Sequence, residues 1–159
     1  HGMSTKNIDD IVSSKLENDS YHLTEKGRED VKKEENKIKK EKIDLIFSSP
    51  FLRTKETSEI VSEATGAKIY FDERLKEIDH GSGCEGKSGP GCLPGEGLRG
   101  IPSLDFRFGD GESWNDVRKR MMNFALEIDK KYEGKKILVV GHGDQHTHLH
   151  RRVRALLRL

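Results

Sequence analysis

The chain has 159 residues, with 29 Lys plus Arg against 28 Asp plus Glu and a net charge of +1. That length fits one domain, and so even a charge balance excludes a bulk-basic nucleic-acid binder and an acidic tail. Charged residues make up 36% and apolar residues 32%, so the expected core is thin. No apolar run approaches the ~18–20 residues of a membrane span, and no basic start leads into an apolar stretch, so no membrane segment or secretion signal is read. Cys84 and Cys92 do not make a disulfide framework, which points to a reduced, cytoplasmic setting.

Residues 1–22 are polar and show little period. Thr24 has the form of a helix cap, with Glu25 and Glu29 in the first turns, and the Lys/Glu-dense stretch runs on to Glu41 as one expected helix. Ile43 to Ser48 is a short apolar run that reads as a buried strand. Pro50 then opens a helical stretch from Leu52 to Ala64, closed by Gly66. Lys68 to Phe71 reads as a second strand. Residues 81–111 hold most of the 16 glycines and three of the four prolines, and read as a functional or disordered insertion. Helix signals return from Glu112 to Tyr132, where Trp114, Val117, Met121, Phe124 and Ile128 form one apolar stripe that Gly134 stops. Ile137 to Val140 is the clearest strand, and residues 151–159 are a basic tail. The alternation of helix and strand implies a single α/β domain over 1–159. Its expected form is a three-layer sandwich around a mostly parallel sheet.

The turn Gly141-His142-Gly143-Asp144 follows that last strand directly. A parallel strand delivers the residues after its C-terminal end to the crevice where ligands bind. Alone, His142 reads first as a satisfied histidine in a tight turn. It does not stand alone. His1-Gly2-Met3-Ser4-Thr5-Lys6-Asn7 has the form H-G-x-S-x-x-N, and Leu23 to Arg28 opens the first helix. Ser48-Ser49-Pro50-Phe51-Leu52-Arg53 follows the first strand. Asp72 to Glu77, Gly111-Glu112-Ser113-Trp114 and Gly141-His142-Gly143 complete an ordered set.

This set resembles the histidine phosphatase superfamily, the phosphoglycerate mutase-like proteins, from residue 1 to about 145. The resemblance implies that His1 is the nucleophile, that Glu77 donates a proton to the leaving oxygen, and that His142 holds the transferring phosphoryl group. It further implies that Ser4, Asn7, Arg53 and Gly143 bind substrate. The residue types suit that chemistry. Phosphoryl transfer gathers charge on equatorial oxygens, so positioning and positive charge dominate. Arg offers a permanently charged planar fork for phosphate oxygens. A neutral imidazole attacks phosphorus in line and splits one hard step into two. Cationic side chains take the charge, so neither metal nor cofactor is expected.

The implied activity is hydrolysis of a small phosphorylated molecule through a phosphohistidine, with mutase-type transfer as the alternative. A homodimer is compatible with this reading; nucleic acid and membrane are not expected as partners. The chain as read starts at His1, so the arginine and apolar strand that precede the family's histidine do not appear in it. It therefore reads as a fragmentary or divergent member. His1-Gly2-Met3 also has the form of a purification-tag remnant, although the Ser4 and Asn7 spacing favours the motif. Two readings from other classes stand beside it. His142, His146, His148 and His150 form H-x3-H-x-H-x-H, the spacing of a metal-binding module. An inactive fragment that binds a partner through the Arg-rich tail is the other.

Overall fold

A computed structural model describes residues 1–88, 92, 103–107 and 109–143. The basic tail and His146, His148 and His150 lie outside the described residues. Among the described residues, three parallel strands form the sheet: β1 (Leu45–Ser48), β2 (Lys68–Phe71) and β3 (Ile137–Val140). Their order is β2-β1-β3, with Leu45 opposite Lys68 on one side and Ile137 on the other.

Strand side chains alternate between the two faces, and this alternation builds two cores. Ile46, Leu138 and Val140 face Val31, Ile38 and Val61. Those residues belong to α2 (Glu25–Lys33), α3 (Glu35–Lys40) and α4 (Leu52–Thr65). Phe47 and Val139 face the opposite way and pack against Trp114, Val117, Met121, Phe124 and Ile128. These five are the apolar stripe of α5 (Trp114–Lys131). The result is a three-layer α/β sandwich with a parallel sheet, as the sequence leads one to expect.

Local signals set most boundaries. The Thr24 hydroxyl accepts from Gly27 N at 2.9 Å and caps α2. Gly66 ends α4 with φ of 75°, a left-handed conformation that glycine adopts without steric cost. Ser113 caps α5 through a reciprocal pair of bonds with Asp116.

Two differences from the sequence reading stand out. The expected single helix over 24–41 bends at Glu34, whose N–H reaches Val31 O instead of the carbonyl four residues back. The bend lays both short helices on α4, so that Val31 and Ile38 enter the same core. The polar stretch 1–22 contains α1 (Thr5–Asp9) and a single 3₁₀ turn, Leu16–Asn18. Both are too short to show a period.

The first five residues are threaded between these layers. The His1 amine donates to Gly141 O at 3.2 Å, just beyond β3. Gly2 N donates to Thr57 Oγ1 on α4 at 3.2 Å. Thr24 N donates to Met3 O and Thr5 N to His22 O.

Candidate active site

The C-terminal ends of β1 and β3 lie side by side, joined by Ser49 N donating to Val140 O at 2.9 Å. His142 follows β3 and is fully buried. Its Nδ1 lies 3.2 Å from Arg53 Nη2. A guanidinium only donates, so Nδ1 accepts and the ring is neutral. Nε2–H then donates to Ser49 Oγ at 2.9 Å. Burial, and after it the charge of Arg53, holds the His142 pKa well below the ordinary 6.5.

Arg53 sits in the first turn of α4 and is fully buried over the Phe51 ring. Its Nη2 also donates to Ser13 O at 3.2 Å, and its Nη1 lies 3.6 Å from Asp19 Oδ1. Nε and Nη1 are buried without hydrogen-bond partners, as are Asp19 Oδ1 and Ser13 Oγ. Buried donors left unpaired are costly, and an oxyanion would satisfy those of Arg53.

His1 completes the group. Its ring stands edge-on to His142, with centroids 5.3 Å apart. His1 Nδ1 lies 2.7 Å from Gly2 O. A carbonyl only accepts, so Nδ1 carries the hydrogen and Nε2 presents a lone pair. Burial, followed by the charge of Arg53, lowers the His1 α-amine from 8.0 to about 6.

Glu77 closes the site and is only 7% exposed. Its Oε2 lies 3.5 Å from His142 Nδ1, 3.9 Å from Arg53 Nη2 and 3.6 Å from Lys6 Nζ. The loop that carries it is pinned from α5. Arg120 donates from Nη2 to Glu77 O at 3.2 Å and from Nε to Glu112 Oε1 at 2.8 Å. Glu112 in turn accepts from Asp79 N at 3.1 Å.

The structure thus brings His1, Arg53, Glu77 and His142 together across 141 residues of sequence. Ser4 and Asn7 are placed differently. Ser4 N and Oγ both donate to Asn7 Oδ1, at 2.9 and 2.7 Å, and these bonds cap α1. Gly143 is exposed beside His142. Both ring nitrogens of His142 are engaged within the site, and no metal-ligand cluster occurs among the described residues.

Sequence reasoning missed Lys6, Ser13, Asp19 and the Glu112–Arg120 pair. Lys6 stands inside the quoted H-G-x-S-x-x-N motif, at an unspecified position. Glu85, which precedes Gly86 and Lys87, accepts from Ser14 N, Ser14 Oγ and Lys15 N, and so fixes the loop whose Ser13 carbonyl holds Arg53. A cavity of about 600 Å³ lies elsewhere, between α5 and the start of β3, beside Ile128, Tyr132 and Ile137.

The family model for the histidine phosphatase superfamily (branch 1) matches residues 1–156, and the chain belongs to that superfamily. It is 31% identical over 130 residues to phosphoserine phosphatase 1 of Hydrogenobacter thermophilus, covering 76% of this chain and 58% of that protein. It is 34% identical over 127 residues to a probable phosphoglycerate mutase of Shigella dysenteriae, with the same shares of the two chains. The chain therefore spans about 58% of the length of these curated relatives.

Among solved structures, mycobacterial glucosyl-3-phosphoglycerate phosphatase superposes with a TM-score of 0.81 at 24% identity, over 94% of this chain and 75% of that one. That likeness concerns the fold. YhfR of Bacillus stearothermophilus superposes with a TM-score of 0.76 at 29% identity, over 94% and 74%.

Proposed function

We propose that this chain hydrolyses small phosphomonoesters through a phosphohistidine on His1. One observation carries the reading: the His1 Nδ1–H bond to Gly2 O leaves Nε2 as a nucleophile beside Arg53, Glu77 and His142. The two curated relatives are named as a phosphatase and a probable mutase of phosphorylated small molecules, which supports the substrate class.

In the first step His1 Nε2 attacks phosphorus as the ester P–O bond breaks, and Glu77 gives its proton to the leaving oxygen. In the second, water attacks the phosphohistidine, its proton passes to Glu77, and the P–N bond breaks to release phosphate. Arg53 supplies Nε and Nη1, its two unpartnered donors, to the equatorial oxygens. The incoming dianion offsets the burial that keeps His142 neutral; Nδ1 takes up a proton from solvent as the substrate binds and donates it in a hydrogen bond to a phosphate oxygen. Side-chain cations meet the developing charge, so the scheme calls on no metal. Ser4 and Asn7 serve by capping α1. The setting is the cytoplasm, supported by two free thiols, Cys84 and Cys92.

The test is turnover of p-nitrophenyl phosphate in EDTA, with a quench into alkaline detergent to trap a phosphoenzyme that is acid-labile and base-stable. Wild type is expected to turn over and trap. His1→Ala should abolish the trapped species, while Arg53→Ala and His142→Ala should each cost on the order of 10²–10³-fold in rate. Trapping in His1→Ala would overturn the assignment. Return of the phosphoryl group to a second substrate hydroxyl, in place of release to water, would mark the mutase outcome.

A further inference from the structure

The chain holds two cysteines, and the phosphoryl chemistry uses neither. Eight residues apart in sequence, they meet in the fold: the Cys84 thiol donates to Cys92 O at 3.8 Å. Both side chains are half-buried, so a small reagent reaches them. Burial first, and then the hydrogen bond and the charge of the Cys92 side chain, push the Cys84 thiol from 9.0 up to about 11. The thiolate is the form that attacks a disulfide, so at neutral pH Cys84 keeps its proton and Cys92 attacks first.

Cys84 sits in a turn laced to the phosphate end of the site. Cys84 N donates to Gly81 O at 3.1 Å, and Lys87 N to Cys84 O at 3.0 Å. Gly86 N donates from that turn to Val12 O, and Val12 N donates back to Lys87 O, both at 2.9 Å. Glu85, the next residue, holds Ser14 and Lys15, and the adjoining Ser13 carbonyl accepts from Arg53 Nη2 at 3.2 Å. A bond between the sulfurs takes the hydrogen from Cys84, and with it the donation to Cys92 O. The side chain then turns from that carbonyl to the Cys92 sulfur, and Glu85 is the residue bonded to it. The displacement reaches Arg53 through Glu85 and the Ser13–Ser14 loop.

We propose that Cys84 and Cys92 are a redox site: a small-molecule disulfide converts them to a Cys84–Cys92 bond, which loosens Arg53 and lowers turnover. The Cys92 thiolate attacks one sulfur of the reagent, breaks its S–S bond and expels a thiolate, which takes up a proton. Cys92, now in a mixed disulfide, no longer holds the Cys84 proton by its charge. Cys84 gives that proton to solvent, and its sulfur attacks the Cys92 sulfur and expels the second thiolate, which is protonated in turn. The protein loses two electrons and two hydrogens, and the reagent becomes two thiols. In a reducing compartment such a bond is transient and follows the thiol poise. Formation of the bond is independent of the phosphatase reading; its effect on turnover rests on that reading.

Wild type, Cys84→Ser and Cys92→Ser are treated with glutathione disulfide and then with dithiothreitol. Mass spectrometry reads the bond, since trypsin cleaves after Lys87 and leaves two linked peptides. Turnover of p-nitrophenyl phosphate reads its effect. Wild type is expected to lose two hydrogens, and its kcat/KM should fall on the order of tenfold and recover with dithiothreitol. Both serine variants should keep their turnover throughout. Glu85→Gln replaces an accepting oxygen in the same loop without oxidation, and should lose turnover in the reduced protein. Wild type that stays reduced, or stops at a mixed disulfide, overturns the redox site. A bond that leaves turnover unchanged, a serine variant that falls as far as wild type, or reduced Glu85→Gln at full rate overturns the link to Arg53. If reduced wild type turns over no ester, the phosphatase reading fails, and the Kd for orthovanadate, reduced against oxidised, still decides on that link.

Discussion

His142 has no contact with water, and its neutrality has a thermodynamic consequence. Burial first, and Arg53 second, keep it unprotonated in the folded protein well below pH 6.5. In the unfolded chain it titrates near 6.5. Below that pH the unfolded chain takes up a proton that the folded protein refuses, so stability falls as pH drops. Between pH 7.5 and 5.5 this one group costs about 1.4 kcal/mol. Arg53, Glu77 and Lys6 also face the ring, and Ser49 fixes its far side. Denaturant titrations at both pH values check this. His142→Asn should lose about 1.4 kcal/mol less than wild type over the interval. Identical losses would place the pH dependence in other groups.

At the scale of elements, the site depends on two close contacts. The first is between α2 and the residues after His1. A Cβ on Gly27 would lie 2.0 Å from Met3 O and 2.9 Å from Met3 N. Glycine inside a helix ordinarily costs about 1 kcal/mol relative to alanine, yet here only glycine allows the approach. Gly27→Ala should lower stability by about 1–3 kcal/mol through overpacking. It should also reduce turnover by displacing His1; circular dichroism melts and p-nitrophenyl phosphate rates check both. The second contact is the Glu112–Arg120 pair under the Glu77 loop. Arg120→Lys removes the fork that spans Glu112 and the Glu77 carbonyl. It should cut kcat on the order of tenfold with KM little changed, since it touches the carrier of the acid and not the phosphate. A loss confined to KM would count against this role.

These elements also show what a sequence discloses. Ile137–Val140 and Lys68–Phe71 were readable to the residue, because a short apolar or β-rich run between charges or turn residues has few other fates. Thr24 and Gly66 marked helix ends through local chemistry. The bend at Glu34 left no trace, because Lys and Glu on both sides are good helix formers and the reason for it lies in α4. His1, Arg53, Glu77 and His142 were legible as a set through resemblance, each weak alone. Asp19 and Ser13 were not, because a carboxylate or a carbonyl in a loop acquires meaning only from the arginine that folding brings to it. Glu112 and Ser113 stood side by side in the quoted Gly111 to Trp114 motif; the structure divides them, Ser113 to the cap of α5 and Glu112 to Arg120.

At the scale of the whole molecule, helices on both faces leave the C-terminal edge of the sheet as the place where separate segments meet. An anion held there stabilises the folded protein by mass action. Orthovanadate at about 100 times its Kd should add about 2.7 kcal/mol. The accompanying rise in Tm should vanish in Arg53→Ala, and an equal rise in that variant would put the anion elsewhere.

The hydrogen bond from His1 to Gly141 carries a kinetic consequence. It joins groups 140 residues apart, and His1 has no histidine partner until β3 is in place. Long-range contacts of this kind form late, since the loop between them must first be closed. In refolding from urea, fluorescence of the single tryptophan, Trp114, within the α5 core reports assembly of that face. Recovery of turnover should lag behind it or coincide with it, and never precede it. A partly synthesised chain would stay inert until residue 142 had emerged, so the order of synthesis itself withholds activity until both histidines are present.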